Sequence, residues 1–338
     1  MAGWDLKKGI ITQNDLTEDH IWSLFNFVFS DACRKRNTYK YGLIKSILDN
    51  VFNGIIQQNG DVYFPYRDIF AKFSENYWNL VVKYDLRQMR KDGKSVFSKI
   101  EQILKDVVAD NDVLEKLEYD SIDERTKRLL VYKVTLECKR FVIGALYNDF
   151  DGVIYSFDLS GEGIYLNHSV YAFILKYKME IEKLNYYSWA RFLEQINDDD
   201  ALIRVIDKLE LSTPCRNDLS VYRVLLHKEF EEDTCFYCGK KLLKKMHVDH
   251  FIPWSFVKDD KLWNFVLACP SCNIKKNVRI PSREYLSRMD ERNKLLCKMA
   301  NPIVEVDFEN YRDGLIERIW QYARLSGIKE YCGSSKKV

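Results

Sequence analysis

The sequence predicts an α+β protein, mostly α: a large helical N-terminal region with a small β hairpin, then a short cysteine-braced segment, then a C-terminal helix. Three observations predict it. Apolar residues recur at helical spacing through most of the first 150 residues. That period gives way to strand-like alternation between Gly152 and Leu166. Four of the nine cysteines stand in two Cys-x-x-Cys pairs, Cys235/Cys238 and Cys269/Cys272, thirty residues apart.

At 338 residues the chain suggests about two domains and can bury real cores without disulfide staples. With 46% hydrophobic and 30% charged residues, and only 6 prolines and 14 glycines, it excludes collagen-like and disordered classes. The longest apolar run, Phe141 to Tyr147, is too short to span a bilayer, and the opening residues carry no apolar leader. A soluble, cytoplasmic protein with reduced cysteines and no membrane partner is therefore expected.

Taken in order, Tyr41, Ile44, Leu48, Val51 and Ile55 predict one helix, and Ile69, Phe73, Tyr77, Leu80 and Tyr84 a second. Phe97, Ile100, Leu104 and Val107 predict a third. Ser121-Ile122-Asp123-Glu124 has capping-box form and should open a helix running towards Cys138. Val153 to Phe157 and Gly163 to Leu166, around a Ser-Gly-Glu-Gly turn, read as a hairpin or wing. Helical spacing resumes at Val170, Ile174, Tyr177 and Ile181 and continues through Trp189, Phe192 and Leu193. Asn197 to Asp200 read as a solvated turn rather than a metal site. Leu219, Tyr222, Leu226 and Phe230 place a helix just before the first cysteine pair, and Leu315, Ile319, Trp320 and Tyr322 predict one near the end. Two basic clusters, Arg34-Lys35-Arg36 and Arg87 to Lys94, read as solvated faces in preference to a DNA-reading surface.

Charge is unevenly spread. Residues 235–288 hold eleven Lys/Arg against four acids, a net of +7, whereas residues 1–234 hold 32 against 38, a net of −6. A basic segment in an acidic chain points to a polyanionic partner. Within it, the four paired cysteines supply the thiolates of a closed, tetrahedral, structural Zn2+ site, and the Gly after Cys238 suits the tight turn of a knuckle. Between the pairs lies His247-Val248-Asp249-His250, holding two of only five histidines. The run Met246 to Phe251 favours a strand ended by Pro253, on which Asp249 and His250 face opposite ways unless the strand ends there. Trp254, Phe256 and Trp263 are expected to pack this small motif.

The pattern Asp249-His250-x-x-Pro253, Asn264, then Cys269-x-x-Cys272-Asn273-x-x-Lys276 resembles the HNH endonuclease signature. The stretch from Val248 to Asp260 is also similar to the HNH nuclease domain of CRISPR RNA-guided effectors. The resemblance covers about 55 of the 338 residues. It implies a ββα-metal fold: two strands and a helix around one catalytic metal. It further implies that His250 is the general base and that Asp249 and Asn273 are ligands of the catalytic ion. Asn264 would tie the loop together, Lys276 would contact phosphate, and His247 would support Asp249 or the metal's surroundings.

The chemistry agrees with those roles. A neutral imidazole accepts a proton at cellular pH. Carboxylate and amide oxygens suit Mg2+ or Mn2+ better than zinc. The expected function is a metal-dependent endonuclease acting on nucleic acid, foremost double-stranded DNA, in bacterial restriction or phage defence. A homodimer, or an ATPase or sensor subunit from the same operon, is the expected protein partner. The competing readings are a non-catalytic zinc-knuckle module that binds nucleic acid or protein, and an HNH nuclease directed at RNA. The expected layout is a helical domain at 1–150 and a hairpin with helices at 151–232, which can join the first domain. The nuclease domain follows at 233–288, with a helical extension at 289–338.

Overall fold

The computed structural model describes residues 5–91, 97–110, 117–210, 219–231, 233–242 and 246–332. It is α+β and mostly α, and it divides into two compact units, Met1–Cys215 and Arg216–Val338. Among the described residues, no helix is long and apolar enough to cross a membrane.

In the first unit the long helices span Glu18–Phe29, Tyr39–Asp49, Tyr66–Trp78, Lys99–Asp110, Glu124–Cys138 and His168–Glu194. Their starts follow capping chemistry. Thr17 accepts from the His20 amide, Asn167 from that of Ser169, and Asp123 from those of Arg125 and Thr126. Most of the apolar stripes bury as patterned, and Phe73 stacks on Tyr77, which packs on Trp189, all three at 0–1% exposure. Among the described residues, five strands complete the unit: β1 (Lys8–Gly9), β2 (Ile55–Ile56), β3 (Val62–Pro65), β4 (Tyr155–Asp158) and β5 (Gly163–Leu166). They form one sheet in the order β1-β4-β5-β3-β2 with every pair antiparallel.

Several local expectations are corrected here. The helix predicted through Ile55 ends at Asp49, because the chain breaks into a 3-10 turn at Val51–Asn53 and then pairs as β2. The capping box does not form. Ser121 lies in a preceding 3-10 turn, and Asp123, with extended backbone and an acceptor carboxylate, takes the cap two residues later. The β4–β5 hairpin is no wing, since β1 and β3 flank it and leave it at the middle of the sheet. The reading of the two basic clusters as solvated faces holds, with Arg34, Arg36, Arg90 and Lys91 exposed, and the clusters meet: Asn37 and Met89 form an antiparallel bridge, and Lys35 donates to the carbonyls of Ser30 and Cys33. Lys94 lies outside the described residues.

The second unit centres on a hairpin, β6 (His247–His250) with β7 (Phe265–Ala268), in antiparallel register from His247↔Ala268 to His250↔Phe265. A short helix, Pro270–Lys276, follows β7, opened by Cys269 with Pro270 in its first turn, where a missing N–H costs nothing. Beyond it come helices Tyr285–Leu296, Pro302–Phe308 and Leu315–Leu325, of which sequence periodicity flagged the last. Two short strands, β8 (Ile280–Pro281) and β9 (Glu330–Tyr331), pair in parallel and tie the end of the chain back to the motif. These C-terminal elements brace the hairpin and its loop. Arg288 donates to the Phe236 carbonyl at 2.6 Å, Asn293 to the Trp263 carbonyl at 2.8 Å, and the Leu262 amide to Asp307 at 2.7 Å.

Candidate active site and metal centre

The cysteine cluster is built by backbone geometry. Gly239 at φ +66° turns the first knuckle, and its amide donates to the Cys235 carbonyl at 2.9 Å. The Phe236 amide donates to the Leu267 carbonyl, which docks that knuckle on β7. The second knuckle follows at once, where β7 ends at Ala268 and Cys269 caps the short helix. All four thiols thus come within 4.8 Å of one another. Zn–S bonds near 2.3 Å in a tetrahedron separate sulfurs by about 3.8 Å. The Cys238–Cys269 separation of 3.9 Å matches that edge, so the donor set fits zinc. Burial pushes the thiols of Cys235 and Cys272 up, so metal binding there must release their protons.

The loop between β6 and β7 is closed by one residue. Asn264, fully buried, accepts from the Ile252 amide at 2.8 Å and donates to the Ile252 carbonyl at 2.9 Å. Its own carbonyl accepts from the Phe251 amide at 2.7 Å. Inside the loop, a single turn at Trp254–Val257 ends on Lys258 in the left-handed region at φ +59°. That reversal brings Asp260 back onto His250, with 2.7 Å between its Oδ1 and the imidazole Nε2. The ring's other constraint is Phe265, packed edge-on at 4.7 Å.

Asp249 sits next door with both carboxylate oxygens engaged. The Tyr237 hydroxyl donates to Oδ2 at 2.5 Å, and the Lys276 ammonium lies 3.1 Å from the same oxygen and 3.3 Å from Oδ1. Burial, then the neighbouring carboxylate, push the Tyr237 phenol well above its ordinary range, which keeps it a donor. Lys276 also donates to the His250 carbonyl at 2.7 Å. Fully enclosed, it fastens Asp249 and His250 instead of reaching out to phosphate, which corrects the contact expected of it. Asn273 pairs through Nδ2 with His247 Nδ1 at 2.9 Å, which leaves its carbonyl oxygen as the group a metal would take.

Asp249, His250, Asn273 and Lys276 line one cleft of about 230 Å³, together with Trp254 and Ser255. The strand ends at His250, so the alternation that would separate Asp249 from His250 stops there, and both reach the cleft. Asn264 stands behind it as the loop's fastening. Phe256 and Trp263 are buried as expected, but Trp254 is half-exposed at the cleft with the Lys258 ammonium over its ring, so it is not core. Sequence reasoning gave no role to Asp260 or Tyr237. The signals were present, a second acid just after Lys258 and an aromatic inside the first knuckle, but only the folded loop shows what each touches.

A hairpin, a short helix and a four-thiol cluster define a small cysteine-braced ββα module. Residues 235–282 match the family model described as HNH endonuclease. Neither a curated protein nor a solved structure gives a significant match to the chain.

Proposed function

We propose that the protein is a metal-dependent HNH endonuclease that hydrolyses phosphodiester bonds in DNA. The observation that carries this reading is the convergence of Asp249, His250 and Asn273 on one cleft within the segment that matches the HNH family. Here His250 takes the proton of the attacking water, and Asp249 and Asn273 hold a hard divalent ion, Mg2+ or Mn2+. When bound there, such an ion would supply neutralisation of phosphate charge and stabilisation of the leaving oxygen. The donor set suits it, being one carboxylate and one amide oxygen with no thiolate or imidazole among them. Lys276 and Tyr237 orient Asp249 before any ion arrives, and the Cys235/Cys238/Cys269/Cys272 cluster, loaded with zinc, fixes β7 and the short helix relative to the cleft. The +7 charge of residues 235–288 supplies the attraction for a phosphate backbone.

The test is cleavage of plasmid DNA and of a labelled RNA panel in Mg2+, with EDTA and a His250→Ala protein as controls. The expected result is DNA cleavage that EDTA abolishes and that His250→Ala reduces by roughly a hundredfold or more, the scale of a lost general base. Cleavage unchanged in His250→Ala overturns the assignment of the base, and cleavage of RNA alone transfers the same chemistry to the other polymer.

A further inference from the structure

We infer that Asp260 is a positioning residue for His250, selecting the ring tautomer that can act as base. The inference rests on the nuclease reading for its kinetic consequence, but not for its structural one. Asp260 and His250 both have side chains 8% exposed, and the 2.7 Å contact is between the carboxylate Oδ1 and imidazole Nε2. An ionised carboxylate only accepts hydrogen bonds, so the proton of the neutral ring belongs on Nε2. Nδ1 is then the acceptor, and water must be deprotonated at that nitrogen. Ring rotation is opposed from the other side by Phe265, whose ring packs edge-on against the imidazole.

The carboxylate is itself held. Lys258, at φ +59°, reverses the chain ahead of it. The Asp260 amide donates to Asp259 Oδ1 at 3.0 Å, and its carbonyl accepts from the Tyr222 hydroxyl at 3.4 Å. Two residues on, Asp307 and Asn293 fix the backbone of Leu262 and Trp263. A loop fastened at so many points presents Asp260 in one place, which is what orienting a base requires.

The experiment compares Asp260→Ala and the near-isosteric Asp260→Asn with the full-length wild-type chain. It measures kcat and KM on DNA, zinc content, and the His250 tautomer from long-range ¹H–¹⁵N NMR spectra of histidine-labelled protein. With five histidines in the chain, a His250→Ala spectrum assigns the signal by subtraction. Asp260→Ala is expected to lower kcat by roughly ten- to a hundredfold, the scale of a lost orienting partner, with KM within about twofold and zinc unchanged. In a His250→Ala background the same substitution should cost nothing further, because the two residues act as a unit. Asp260→Asn keeps the shape but can turn its NH2 towards the ring, so the Nε2–H preference should weaken and the rate fall with it. A wild-type tautomer in Asp260→Ala, or an equal rate loss with and without His250, overturns the inference. If the wild-type protein cleaves no nucleic acid, the nuclease reading fails, and the tautomer comparison alone still decides what Asp260 does.

Discussion

A buried charge costs several kcal/mol unless it is matched, and both units deal with that cost residue by residue. In the second unit the match is Lys276, whose enclosed ammonium neutralises Asp249 and secures the strand end through the His250 carbonyl. In the first it is Lys45, set between Asp49, which also receives the Asn76 amide, and Glu182 at 3.4 Å. Glu75 is less well served. It is 6% exposed, with Lys72 3.5 Å away, and burial outweighs that lysine to push its carboxyl up to about 7 from 4.5. Below pH 4.5 both states hold the proton and nothing is lost. As pH rises towards 7 the unfolded chain ionises first, so stability falls, and above 7 the full cost is present. Glu75→Gln should therefore stabilise the first unit at pH 8, by about 3 kcal/mol at most, and leave it nearly unchanged at pH 4. Thermal unfolding of both proteins at the two pH values checks this. An equal shift at both would mean that the gain comes from packing and not from charge.

At the scale of elements, the hairpin and its short helix are too small to hold themselves together by burial alone. Their cohesion comes from the two knuckles, from Asn264 across the loop mouth, and from C-terminal side chains such as Arg288 and Asn293. Cys272→Ser should accordingly drop bound zinc from one ion per chain to well below that, as read by elemental analysis. The same protein should lose several kcal/mol in the second unit while the first unit's transition stays in place. These elements also show what sequence reading could reach. The knuckles, the His-Val-Asp-His strand and the closing asparagine were legible because each depends on a fixed spacing and a specific donor or acceptor. The position of Asp260 was not, because it depends on one left-handed residue, Lys258, that no periodicity announces. β2 and β3 were hidden for a related reason: strands of two and four residues carry too little alternation to stand out among helices, and β3 takes its second partner, β5, from far along the chain.

On the scale of the whole molecule, contacts gather within Met1–Cys215 and within Arg216–Val338. The second unit has its own apolar interior, including Phe251, Ile252, Phe256, Leu262 and Phe265 at 0% exposure. Expressed alone with zinc, residues 216–338 are expected to unfold in one cooperative transition and to keep the metal. Calorimetry with elemental analysis decides this, and a fragment that melts without a heat-absorption peak would mean that the unit needs the rest of the chain. Composition and charge already separated the acidic helical part from the basic segment, but they held no information about the sheet that joins residues from both ends of the first unit.

That sheet has a consequence for how the protein is made. β1 leaves the ribosome well before its partner β4, since it pairs Lys8 with Asp158 and Gly9 with Phe157. Until those partners are synthesised the opening strand has nowhere to dock, and contacts of such long range form slowly. The sheet is then complete with β5, at Leu166, before Cys235 has been added. Vectorial synthesis therefore lets the helical unit close before the cysteine-braced unit, whose described pairings all lie after residue 233, has been made.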